Sequence, residues 1–233
     1  MIRHTTSLLA VFVLSVPAAQ ASLLRGPDFI EPGDTGSSRN TATDVKTESG
    51  GIVSTISGSI GGGGGLRGPG DFQDVYRIRI TDPAAFKITL KNSSFDIPDA
   101  MLFLFNENGN PIMASNNSNP DNLDPVLTNV NNAFFNQPGI FYLAITSAPS
   151  EARIQLDNGE SIALFNLLNN PFGTVGPAEG TADFEWTSEW TAANPENFGS
   201  YMMLLDGVSS VPAPAGLALL GLGLIGARRR RRA

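Results

Sequence analysis

The fold reading turns on Ala100-Met101-Leu102-Phe103-Leu104-Phe105-Asn106-Glu107-Asn108-Gly109-Asn110-Pro111-Ile112-Met113-Ala114. Alternate side chains of a strand point to opposite faces, so the unbroken apolar run from Ala100 to Phe105 suits a central strand buried on both. Asn108-Gly109 is a strong hairpin signal because both residues tolerate positive φ. Ile112-Met113-Ala114 is then the return strand.

Strands are also expected on either side of this hairpin. Val75-Tyr76-Arg77-Ile78-Arg79-Ile80 alternates Val75, Arg77 and Arg79 with Tyr76, Ile78 and Ile80, the period of a half-buried strand. Phe86-Lys87-Ile88-Thr89-Leu90-Lys91 repeats it with Phe86, Ile88 and Leu90 inward, and Asp82-Pro83 marks the turn between. Upstream, Ile52 to Ile60 is β-branched and ends in the glycines Gly61 to Gly65, which have no side chains to pack and read as a flexible loop. No helix carrying Lys and Ser or Thr follows, as a phosphate-cradling loop would need. Downstream, Ser115 to Pro125 is a solvated loop, and Pro138-Gly139 introduces the strand Ile140 to Ile145. Gly199 to Gly207 is the final strand. Short strands, turn-rich joins and little helical period favour an all-β protein, a β-sandwich with long connections.

The two ends of the chain read differently. Arg3 and His4 form a short positive region, Leu8 to Val16 an apolar one, and Ala19-Gln20-Ala21 the small-x-small pattern before a signal peptidase site. Residues 1–21 are therefore expected to be a Sec-type signal helix, cut after Ala21. At the other end Val211-Pro212-Ala213-Pro214 precedes an apolar segment, Ala215 to Ala227, and then Arg228, Arg229, Arg230, Arg231 and Arg232. The arginines would stay with the cytoplasmic leaflet. A full helical span needs about 20 apolar residues, and each of Gly216, Gly221, Gly223 and Gly226 costs about 0.8 to 1 kcal/mol in a helix interior. The tail thus suits a temporary anchor.

This order of proline-containing motif, short apolar helix and arginine cluster resembles the PEP-CTERM sorting signal of Gram-negative bacteria, which is read by the membrane protease-transpeptidase exosortase. Ala213 stands where the usual motif has glutamate. The resemblance implies transient residence in the inner membrane and delivery to the cell surface or extracellular matrix. It also implies an association with exopolysaccharide and biofilm.

Without both ends the chain keeps nine Lys and Arg against 22 Asp and Glu, a formal charge of −13. That argues against nucleic acid and anionic lipid as partners of the body, because both need a basic footprint. It favours solubility and loose binding of divalent cations. The chain has no cysteine, and its one histidine, His4, leaves with the signal peptide. A Ser-His-Asp triad, a Cys-His pair and the usual zinc site are closed to such a body. Paired-carboxylate chemistry and oxygen-ligand calcium sites stay open.

The body also resembles the bacterial pre-peptidase C-terminal domain, a jelly-roll-like sandwich of many secreted proteins. The matching residues are Ile56-Ser57-Gly58, Asp71-Phe72-Gln73-Asp74-Val75-Tyr76, Leu102 to Asn106 with Asn108-Gly109-Asn110, and Pro138 to Leu143, with Gly199-Ser200-Tyr201 and Leu204 closing the domain. The expected layout is a polar N-terminal segment (22–50), a jelly-roll-like β-sandwich (51–208), and the sorting tail (211–233) with its short transmembrane helix. An insertion at about 148–197 exceeds the compact family's needs and is either an extra hairpin or a face of its own.

Three constellations are candidates for chemistry. Asp71 and Asp74 after the glycine loop, and Asp121 and Asp124 with Asn116 and Asn117 in the next long loop, offer hard oxygen ligands for calcium. Trp186 and Trp190, beside Glu185 and Glu189, have the composition of a sugar-stacking platform, though a core role is the commoner use of Trp. Asp183, Glu185 and Glu189 would share one face of a strand and are nominal glycosidase carboxylates. The expectation is a non-catalytic exported protein, handled by the Sec translocon, signal peptidase and exosortase. The rivals are a secreted polysaccharide-active enzyme and a calcium-stiffened adhesion module.

Overall fold

The hairpin forms where the sequence predicts it: β6 (Ala100–Asn106) pairs antiparallel with β7 (Pro111–Ser115), Phe103 opposite Ala114 and Leu104 opposite Met113. Its turn differs in detail. Only Gly109 takes a positive φ, at +90°. The Asn106 side-chain oxygen instead accepts the backbone N–H of both Asn108 and Asn110, each at 2.9 Å, so an Asx-type loop does the work expected of a two-residue turn.

Residues 28–48, 50–61, 71–91, 97–194 and 196–212 are described in this computed structural model. The predicted signal helix, most of the glycine tract, Ala213, Pro214 and the arginine cluster lie outside them. Among the described residues no helix is long and apolar enough to cross a membrane.

Two mixed sheets enclose the main core. In the first, β9 (Gly139–Ser147) runs antiparallel to both β4 (Gln73–Ile80) and β6. The outer edge of β4 is shared by β2 (Thr43–Asp44), which is parallel to it, and β13 (Val208–Ser209), which is antiparallel. The second sheet has the order β1 (Phe29–Ile30), β3 (Thr55–Ile60), β12 (Gly199–Asp206), β5 (Lys87–Leu90), β8 (Val126–Thr128). Between the sheets lie Tyr76, Ile78, Ile80, Leu102, Leu104, Leu143 and Ile145 from the first, and Ile56, Ile60, Ile88, Met203 and Leu205 from the second. These are the inward-alternating positions of the sequence pattern.

The opposite face of the first sheet is buried too. Val75, Met101, Phe103, Phe105, Ala114 and Ala144 pack against Leu164, Phe165, Leu167 and Trp186 of the insertion. The insertion contributes a hairpin, β10 (Arg153–Gln155) with β11 (Ser161–Ala163), and then wraps as irregular chain over the sheet. It is a cover for β6 rather than a face of its own, and that cover is why β6 is apolar at every position from Ala100 to Phe105.

The segment read as polar, residues 22–50, also carries core residues. It supplies β1 and β2, and Phe29 and Val45 belong to the main core. Farther along, the strand expected from Ile52 begins at Thr55, while Ile52 is 76% exposed and forms an isolated bridge with Ser209.

Candidate metal centre

Where β1 ends, the Glu31 N–H donates to the Ser57 carbonyl at 2.9 Å, continuing the pairing of β1 with β3. Gly33 then turns the chain with φ +112°, a conformation costly for any other residue. The turn brings Glu31 and Asp34 over the first residues of β4, and one carboxylate oxygen each of Glu31, Asp34 and Asp74 lies within 4.8 Å of the others. Among the described residues no other group of three metal-ligating side chains comes this close.

Asp74 is the buried member, only 1% exposed. Its Oδ2 accepts the Tyr201 hydroxyl at 2.6 Å, and the Tyr201 and Tyr76 hydroxyls hydrogen-bond to one another. Its Oδ1 has no hydrogen-bond partner among the described residues. A buried polar oxygen without a partner is costly and calls for a ligand. Burial first, and then the negative charges of Glu31, Asp71 and Asp34, push the Asp74 carboxyl up to about 9, although the Tyr201 hydroxyl pulls it the other way. Asp71 is raised for the same reasons, burial foremost and the charges of Asp34 and Glu31 after it. The Tyr201 hydroxyl is raised well above the usual tyrosine range by burial and by Asp74.

Backbone donors hold the rim. Glu31 accepts the N–H of Thr35 at 2.7 Å on Oε1 and of Ser59 at 3.0 Å on Oε2, and Asp71 accepts the N–H of Gln73 at 3.1 Å. Gly58 is required by the close approach: a Cβ there would lie 2.5 Å from Glu31 Oε2 and nearer still to the Tyr201 hydroxyl. A groove of about 590 Å³ opens beside the cluster, lined among others by Glu31, Ser57, Lys91 and Tyr201. The described salt bridges involve Arg39 with Glu185, and Lys46 and Arg77 with Asp44, so none neutralises this cluster. Three carboxylates in no described salt bridge, one of them buried, are oxygen donors for a hard divalent cation, calcium above all, once Asp74 gives up its proton.

The sequence candidates separate at this point. Asp74 belongs to the cluster, Asp71 lies near enough for its charge to be felt there but is not one of the three, and Asp121 and Asp124 lie in a different turn, where their N–H groups donate to Asn119 Oδ1 and Asn122 Oδ1. The partners of Asp74 are Glu31 and Asp34, some 40 residues upstream in the polar N-terminal segment, and no spacing in the sequence announces them.

The tryptophan platform is overturned for Trp186. It is fully buried and stacked on Phe105 at 4.5 Å, and its indole N–H donates to the Glu189 carbonyl. Trp190 is half-buried, edge-on to Phe103 and Trp186, and its N–H donates to the Ser37 carbonyl at 2.7 Å. The indoles therefore fix the insertion to β6 and to the N-terminal segment. Nor do Asp183, Glu185 and Glu189 share a strand face, because residues 183–189 form no strand. Glu185 pairs with Arg39, and Glu189 accepts the Ser161 hydroxyl at 2.6 Å.

A model of the PEP-CTERM protein-sorting motif matches residues 210–232. Among curated proteins, none matches this chain in sequence. The matched residues include the proline motif, the apolar segment and the arginine cluster, in the order read from the sequence. The motif implies processing by exosortase, and proteins that carry it are exported and sorted to the cell surface. The chain is thus a β-sheet body joined to a PEP-CTERM protein-sorting motif.

Proposed function

We propose that this is a non-catalytic surface protein of the pre-peptidase C-terminal kind, sorted through its tail and held rigid by a calcium ion at Glu31, Asp34 and Asp74. The observation that carries the calcium reading is the buried Asp74 carboxylate, with its unpartnered Oδ1, gathered with two further carboxylates. A bound cation would displace the Asp74 proton, supply the missing partner and balance the charge of the three carboxylates. It would also tie β1 and the turn after it to β4, stiffening a module that works outside the cell. Association with exopolysaccharide is the role that the tail's resemblance implies.

The test is a thermal melt of the purified protein with calcium and then with excess chelator. A rise in Tm that the chelator reverses supports the reading, and an unchanged Tm refutes the calcium site. The non-catalytic part is tested by incubating the protein with the producer's own exopolysaccharide. Co-sedimentation without shortening of the polymer agrees with it, whereas released oligosaccharides would sink it.

A further inference from the structure

The sorting match begins at Ser210, but the folded body ends later, so the two overlap. Val211, the first residue of the proline motif, is 3% exposed and donates its N–H to the Val45 carbonyl at 2.9 Å. Ser210 is buried as well. Its N–H donates to the Gly51 carbonyl at 2.9 Å, and its Oγ accepts the Thr47 N–H at 3.0 Å. Immediately upstream, Val208 and Ser209 pair with Ile80 and Arg79 of β4, and the Val208 carbonyl accepts the Val53 N–H. Residues 208–211 therefore form a strap lying between the β2–β4 edge and residues 51–53.

A peptidase takes its substrate as extended chain, with the backbone on both sides of the scissile bond free to pair with the enzyme. Here the N–H groups of Ser210 and Val211 are already committed to the body's own carbonyls, and the Val211 side chain is in its interior. We propose that the strap Ser209–Val211 must peel from the body before the processing enzyme can read the motif, so that the folded domain sets the rate of its own sorting. Val211 is then the residue shared by the two states, core residue in one and recognition residue in the other. This inference rests on the sorting reading of the tail.

The full chain is expressed in a host that processes it, and processing is followed by the size of the product in a pulse-chase. Inserting Gly-Ser-Gly-Ser-Gly-Ser-Ser-Val between Val211 and Pro212 leaves the strap in place and moves the complete Ser-Val-Pro-Ala-Pro off it, onto the inserted linker. Processing is expected several-fold faster than in the parent. An equal or slower rate overturns the proposal. The converse variant pins the strap: Ile52 and Ser209 face each other between the hydrogen bonds Val53 to Val208 and Ser210 to Gly51, the close-set pair of an antiparallel ladder. Ile52→Cys with Ser209→Cys, in a chain with no other cysteine, should slow processing and recover the parent rate under reductant. A cross-linked strap processed at the parent rate contradicts the idea.

Arg228 to Arg232 replaced by alanine separates the two readings, because processing that ignores this change refutes sorting by the tail, whatever the strap does. Hydrogen exchange on the purified full chain judges the strap alone. The Ser210 and Val211 amides should be protected at the level of their neighbours on β4, and fast exchange there overturns the proposal.

Discussion

Asp74→Asn is the most telling perturbation because it changes one atom of the buried carboxylate and leaves its shape. The amide oxygen keeps the hydrogen bond from the Tyr201 hydroxyl, and the amide nitrogen takes the place of the unpartnered Oδ1, an uncharged donor in the cluster with Glu31 and Asp34. Without calcium, the folded parent holds Asp74 protonated up to about pH 9, against 3.8 for the free side chain. A folded value raised above the unfolded one gives stability that is complete below about pH 4 and lost as pH rises toward 9, at no more than about 1.4 kcal/mol per pH unit. Asp71, also raised, adds to this slope.

The calcium-free variant should therefore melt at or above the parent at neutral pH, with a flatter decline between pH 4 and 9. With calcium the order reverses. At a hundred times its dissociation constant an ion bound only to the native state adds about 2.7 kcal/mol. For a domain of this size that is about 5 to 11 °C in Tm. The parent should show this shift, larger at pH 8 than at pH 6 because binding must displace the carboxyl proton, and the variant should show almost none. Differential scanning calorimetry across calcium concentrations at both pH values reads both effects. A variant that keeps the parent's calcium shift would refute the assignment of Asp74 as a ligand.

Other substitutions test the surroundings. Tyr201→Phe leaves Asp74 Oδ2 and the Tyr76 hydroxyl without their shared partner and should cost about 1 to 3 kcal/mol in chemical denaturation; a loss below 0.5 kcal/mol would show that water or the carboxyl proton replaces it. Gly58→Ala pushes a methyl group onto Glu31 Oε2 and the Tyr201 hydroxyl, so both stability, by about 1 to 3 kcal/mol, and the calcium shift should fall; an unaffected calcium titration would mean that Glu31 is not a ligand. Trp186→Ala empties the stack on Phe105 and should cost about 3 to 5 kcal/mol. Limited proteolysis should then cut first within 148–197 while β4, β6 and β9 stay protected, and cleavage no faster than in the parent would remove Trp186 as the pin of the cover.

The strands were legible because alternation at period two is a local signal: Tyr76, Ile78 and Ile80 point inward as their spacing requires, and β6, β9 and β12 fall where apolar runs meet turn residues. One member of the candidate site was legible on the same basis, since Asp74 stands at the start of β4 with Asp71 three residues before it. Glu31 and Asp34 were not. They reach the site because β1 adds to the edge of β3, a pairing between residues about 27 apart that leaves only a two-residue strand in the pattern.

By itself, the sequence determined a β-rich body, a chain with no cysteine and a single histidine, and a C-terminal sorting motif, because composition and the order of segments do not depend on folding. The tertiary structure alone decided which acids meet, which face of each indole is hidden, and that Val211 belongs to both the core and the motif. The physical reason is the same in each case. Charge repulsion, stacking and edge pairing act over a few ångströms, and those distances join residues that lie tens to more than a hundred positions apart in the chain.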